Sequence, residues 1–139
     1  MGTLRKLYDV LYDNENSGVL LIHIIDKSVA KLNALIVYPK FRNKGIATRA
    51  MKIAVTNLLP NIVWFFTQCR LNDARALRLE EKVGFQKIGM LKHLGENADN
   101  VLFVYNNKHE FSFETAKLLA IKYYSRPDQQ LLMGDDNNA

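Results

Sequence analysis

The chain reads as a mixed α/β protein, with helices on both faces of its sheet and an extra helix near the C-terminus. Three observations predict this. The middle of the sequence alternates strand, helix, strand, helix, strand, the pattern of a mixed sheet covered by helices. The first 37 residues are strands separated by polar turns. Beyond Tyr105 a last amphipathic stretch follows Ser112, a helix-capping residue type.

Each element has its own signal. Residues 7–12 alternate apolar and polar and read as a strand, residues 13–18 as a polar turn, and residues 19–25 as the return strand of a hairpin. Asp26-Lys27-Ser28 turns again, and residues 30–37 form a third strand. Strands two and three are apolar on both faces, which predicts cover on both sides. After Gly45 a helix presents Ile46, Ala50, Ile53, Ala54 and Asn57 at helical spacing and stops at Leu59-Pro60-Asn61. Residues 62–69, with Trp64-Phe65-Phe66, read as a buried strand. A short helix capped near Asp73 ends at Gly84, and strands follow near residues 85–91 and 101–105. Ser112 caps the last helix, which runs to about Tyr124 and stops before Pro127. Its inner face would be Phe113, Ala116, Ala120 and Tyr123, lying on bare sheet or docking on a second subunit in a homodimer. Residues 1–128 read as one domain, with 129–139 a flexible tail.

The hinge between the third strand and the first helix carries the clearest chemistry. Tyr38-Pro39-Lys40-Phe41-Arg42-Asn43-Lys44-Gly45-Ile46-Ala47-Thr48 is basic and holds one glycine. The first amides of a helix lack internal partners, and the helix dipole adds positive potential there. A phosphate or pyrophosphate is the natural guest. Gly45 lets oxygens approach the backbone, Ala47 keeps the next turn narrow, and Arg42 and Lys44 add charge. Neither the P-loop spacing nor the dinucleotide G-x-G-x-x-G is present.

Arg42, Gly45 and Ala47 instead spell R-x-x-G-x-A after Val37-Tyr38-Pro39. This resembles the acetyl-CoA signature of the GNAT family of N-acetyltransferases, Q/R-x-x-G-x-G/A after a strand ending in V-x-P. Downstream, the stretch from Asp73 to Phe85 resembles the family's N-x-x-A-x-x-L-Y-E-K-x-G-F, with Ala76, Leu79, Glu81, Lys82, Gly84 and Phe85 matching. The resemblance covers about residues 8–105. It implies a mostly antiparallel sheet with one splayed parallel pair, where acetyl-CoA binds. Backbone groups of Leu35, Ile36 and Val37 would hold the pantetheine arm. The amides of Asn43, Lys44, Gly45, Ile46, Ala47 and Thr48, with Arg42, would hold the pyrophosphate, and Asn72, Asp73 and Ala76 would complete the cofactor contacts. The family's opening strand and two helices have no counterpart before the hairpin, so an acceptor on a protein is favoured.

The same alignment places Glu80 where the family carries a Tyr that protonates the departing thiolate. A carboxyl can do this only if burial raises its pKa. The alternative is a solvated helix residue. Family members often carry a Glu as base on the strand before the cradle; Lys31 and Asn33 occupy that region here, and Asn33 could position a water, although a polar strand residue at an edge of the core explains it as well. His23 shares a strand face with Val19, Leu21 and Ile25, which reads more readily as packing than as a base. No metal-ligand spacing is present, and Cys69 reads as packing.

Composition is that of an ordinary globular protein: 48% apolar, 24% charged, net charge +5 over 139 residues. No apolar run is long enough for a bilayer, no hydrophobic signal region follows Lys6, and the single cysteine has no internal disulfide partner. A cytoplasmic protein is expected. The implied activity is acetyl transfer from acetyl-CoA to a primary amine: a protein lysine, a protein N-terminus or a small amine. The alternative is an acyl-CoA-binding or partner-binding module without turnover. Nucleic-acid binding rests on net charge alone, because the aromatics lie in apolar strands.

Overall fold

The computed structural model describes residues 3–93 and 99–134. The chain divides into two compact units, Met1–Phe66 and Thr67–Ala139. It is a mixed α/β structure of seven strands, mostly antiparallel, with β3 and β4 as the parallel pair.

The first unit holds β1 (Leu4–Tyr12), β2 (Glu15–Asp26) and β3 (Val29–Val37), then a 3-10 turn (Pro39–Phe41), α1 (Ile46–Ile53) and the start of β4 (Trp64–Arg70). The strand order is β1-β2-β3-β4. The first hairpin is tighter than the polar run at residues 13–18 suggests. Asp13 and Asn14 alone make the turn, at φ 50° and 64°, the left-handed backbone that a two-residue hairpin requires. Residues 15–18 belong to β2 instead, and Ser17 is fully buried with its hydroxyl donating to the Val10 carbonyl at 2.8 Å. Gly18 pairs with Val37, and a Cβ on it would lie 2.0 Å from the Ile36 carbonyl oxygen.

Leu20, Ile22, Ala30 and Leu32 are buried, and α1 packs against β3. The opposite face departs from the expectation of cover on both sides. Val19, Leu21 and His23 are only half-buried, and Ile36 and Leu7 are 50% and 68% exposed. Helix phase also differs. Ile46, Met51, Ala54 and Val55 are buried, whereas Ile53 and Asn57 face solvent. The inward stripe through Met51, Ala54 and Val55 keeps ordinary helical spacing but is turned around the axis from the one through Ile53 and Asn57, and a π turn follows at Ala54–Leu58.

The second unit contains the end of β4, α2 (Ala74–Val83), β5 (Gln86–His93), β6 (Asn100–Asn106), α3 (Phe113–Tyr124) and β7 (Gln129–Met133), with strand order β4-β6-β5-β7. Asp73 caps α2 by accepting from the Ala76 amide at 3.1 Å, and Gly84 ends the helix at φ 111°. Ser112 caps α3, which lies on β5 and β7 and buries Ala116, Ala120 and Tyr124. Phe113 and Tyr123 are half-buried, so the inward stripe is rotated toward Tyr124. Residues 129–133, read from the sequence as the start of a tail, form an antiparallel strand on β5. Gln129 anchors them: its buried side-chain amide donates to the Tyr124 carbonyl at 2.6 Å. Residues 135–139 of that expected tail lie outside the described residues. Among the described residues no helix is long and apolar enough to cross a membrane.

Candidate functional site

In the first unit, chemistry gathers where β3 delivers the chain into α1. β3 and β4 stay in register over three pairs, ending at Lys31 and Phe66. β3 then continues to Val37. Just past the last pair the strand bulges. Leu21 faces Ala34 and Ile22 faces Leu32, so Asn33 is an extra residue on β3, exposed to solvent. A bulge re-aims the side chain it carries. Leu35 and Val37 are half-buried and Ile36 is exposed.

The turn after β3 is pinned at several points. The Tyr38 amide donates to the Ser17 carbonyl at 2.9 Å, and the Phe41 amide to the Tyr38 carbonyl at 2.8 Å. Arg42 folds back so that its Nε donates to the Val37 carbonyl at 3.0 Å. Arg49, from the first turns of α1, places its Nη2 3.3 Å from the Lys44 carbonyl and its guanidinium carbon 5.5 Å from the centre of the Tyr12 ring. Tyr12 in turn meets Phe41 edge-on. The loop is therefore held from β1, β2 and α1. Sequence reading missed Ser17, Tyr12 and Arg49; only the aromatic and basic character of the last two hinted at them.

Two successive features then shape the cradle. Asn43 and Gly45 are left-handed, at φ 66° and 74°. Gly45 is the N-cap of α1, no side chain caps that helix end, and a Cβ on Gly45 would meet nothing within 4 Å. Open space, an uncapped helix end, and exposed Arg42 and Lys44 are features that favour an anion. Of the predicted contacts, Ile46 points its side chain into the core, so only its amide can serve. Ala47 and Thr48 are half-buried in the same first turn. His23 lies on β2 in a row with Arg5 and Lys31. Burial first, then repulsion by those two cations, holds its pKa below the usual histidine value.

In the second unit a buried carboxyl stands out. Glu80 is 5% exposed. It shares the inward face of α2 with Ala76 and Val83, at helical spacings of four and three residues. The solvated-residue alternative is thus corrected: phase along the helix, not residue type, decides. Burial pushes its pKa up to about 7, partly offset by a hydrogen bond from the Thr67 hydroxyl. Its Oε2 has no hydrogen-bond partner among the described residues. On β4, burial first and then the Glu80 and Asp73 carboxylates raise the Cys69 thiol to about 11, so it stays protonated and is a poor nucleophile. Asn72 and Asp73 are exposed at the start of α2, and Asp73 is engaged as its cap. Among the described residues no cluster could hold a metal ion.

The pKa of Glu80 makes a stability prediction. Its folded value lies above the ordinary glutamate value of 4.5, so the folded state holds the proton more tightly. Stability is therefore favoured at low pH and falls as pH rises from about 4.5 to about 7, then levels. Glu80→Gln should remove that slope, and melting curves at about pH 5 and about pH 8 should show the variant gaining on the wild type at the higher pH. An unchanged difference between the two pH values would contradict a buried, late-titrating carboxyl.

Residues 3–85 match the family model described as the acetyltransferase (GNAT) family. The chain belongs to the GNAT family. The match takes in both the cradle and α2 of this GNAT chain. A comparison with curated protein sequences found no match. Solved structures share the fold. A GNAT family acetyltransferase from Elizabethkingia anophelis with acetyl-CoA bound aligns at 21% identity and a TM-score of 0.65, covering 73% of this chain and 76% of that one. The spermidine N-acetyltransferase from Vibrio cholerae in complex with CoA and spermine aligns at 18% identity and TM-score 0.65, covering 75% and 66%. An acetyltransferase from Salmonella typhimurium, described as modifying the N-terminal serine of ribosomal subunit protein L7/L12, aligns at 20% identity and TM-score 0.65, covering 73% and 63%.

Proposed function

We propose that this GNAT chain is an acetyl-CoA-dependent N-acetyltransferase acting on a primary amine. The observation that carries the proposal is the left-handed Gly45 at the uncapped end of α1, with open space where a side chain would stand. That space suits a pyrophosphate better than any neutral group, because it lies at the uncapped positive end of α1 and two cations, Arg42 and Lys44, stand in the same turn. Acetyl-CoA, when bound, supplies the activated acetyl thioester. Around it, the first-turn amides and Lys44 hold the pyrophosphate. Arg42 is oriented by its own bond to Val37. With the Val37 carbonyl so engaged and the Ile36 carbonyl turned toward Gly18 on β2, Leu35 is the main backbone partner for the pantetheine arm.

Glu80 is assigned the proton for the departing sulfur. A carboxyl with a pKa of about 7 is half-protonated at neutral pH, which suits a general acid. Asn33 is assigned a water that receives the proton released by the attacking amine. Among the structural relatives, one is a spermidine N-acetyltransferase in complex with spermine and another modifies the N-terminal serine of a ribosomal protein. For this chain a protein amine on an acidic surface is favoured. At net charge +5 the protein repels a polycation and attracts carboxylates.

Calorimetric titration with acetyl-CoA and CoA, followed by thiol release over polyamines and peptides, tests the reading. Micromolar binding and turnover are expected. Glu80→Gln should lower kcat by at least about tenfold with CoA affinity unchanged. Binding without turnover across the panel would favour the acyl-CoA-binding module, and absence of binding would remove the cradle assignment.

A further inference from the structure

β1 is the edge strand of its sheet, nine residues long and unprotected by proline. Such an edge offers a row of unpaired backbone groups. Its side chains are unusual for a free edge: Leu4, Leu7 and Leu11 are 53%, 68% and 66% exposed. Arg5, Lys6 and Asp9 make no ion pair among the described residues.

We propose that β1 pairs antiparallel with β1 of a second copy of this chain, about a two-fold axis through Leu7. An axis perpendicular to the sheet keeps each face on its own side, so only residues of the same parity can oppose one another. Centring on Leu7 sets Arg5 against the partner's Asp9, and Asp9 against the partner's Arg5. It sets Lys6 against the partner's Tyr8, Leu4 against the partner's Val10, and Leu7 against the partner's Leu7. Every cross-strand pair is then a charge pair, a cation on an aromatic ring, or an apolar pair. Neighbouring registers fail. Centring on Lys6 apposes two lysines, centring on Tyr8 puts Asp9 on the partner's Leu7, and centring on Asp9 apposes two aspartates. The Leu7 register also extends the row Leu7, Leu21 and Ala34 into the same row of the partner, making one apolar strip across both copies.

The test uses the full chain in sedimentation velocity at low salt. Wild type should sediment as a dimer at tens of micromolar. Arg5→Glu and Asp9→Arg should each weaken the dimer by at least about tenfold, because each places like charges opposite twice. Mixing the two variants should restore the dimer, since in the heterodimer both pairs are again opposite in sign. Equal melting temperatures confirm that the variants fold. A monomeric wild type would leave the edge to an extended peptide of another protein and would overturn the proposal. A dimer indifferent to both reversals, or one that mixing does not restore, would overturn it as well. None of these outcomes depends on CoA binding.

Discussion

Gly45→Asp is expected to lower CoA affinity at least about a hundredfold while the melting temperature shifts by only a few degrees. The reason lies in two separate properties of the position. Its backbone is left-handed, at φ 74°, where Asp and Asn are tolerated better than other side chains. A Cβ there meets open space, so the fold loses little. The added carboxylate, however, occupies the seat of the anion and brings a charge of the same sign. Gly45→Ala separates the effects. It carries the backbone strain, about 1 kcal/mol, without the charge, and should lose affinity by less than about tenfold. Titration of CoA into both variants, with melting curves alongside, measures this. Equal losses for Ala and Asp would show that strain, and not anion exclusion, governs the site.

Gly18→Val is expected to have the largest effect on stability, about 3 kcal/mol or more, or a fall in melting temperature of about 10 °C. A Cβ at this position lies 2.0 Å from the Ile36 oxygen, 3.0 Å from the Ile36 carbonyl carbon and 3.1 Å from the Val37 Cα. All three are backbone atoms of a paired strand and cannot rotate away. β2 and β3 must part where β3 hands the chain to the cradle. Because the Ser17 carbonyl holds the Tyr38 amide beside it, CoA affinity should fall together with stability. Thermal melts and CoA titration below the melting point check both. A variant as stable as wild type would mean that β2 and β3 are not in this register.

Residue types alone make much of this fold legible. The Gly45 hinge and the Asp73, Gly84 and Ser112 helix boundaries are set by local backbone chemistry, which those residue types report directly. The less legible parts depend on what packs where. Glu15 and Asn16 are polar because they lie exposed on β2, yet a polar run reads as a turn. Met51, Ala54 and Val55 fit a helical period as well as Ile53 and Asn57 do, so the period alone does not say which stripe faces inward. Glu80 could have been placed correctly, since it sits four residues from Ala76 and three from Val83; residue type pointed the other way. The bulge at Asn33 is a matter of register between two strands, and neither strand announces it alone.

The meander has a consequence for how the protein folds. β1, β2 and β3 are joined by turns of two residues, so their contacts close short loops, and hairpins of this kind form in about 1–10 μs. The parallel pairing of Val29 with Trp64 must instead close a far longer loop, which slows it. The bond from Tyr38 to Ser17 lies at the end of the meander. The base of the Gly45 turn is therefore expected to assemble early, with the rapid local contacts, before the parallel pair of β3 and β4 is made.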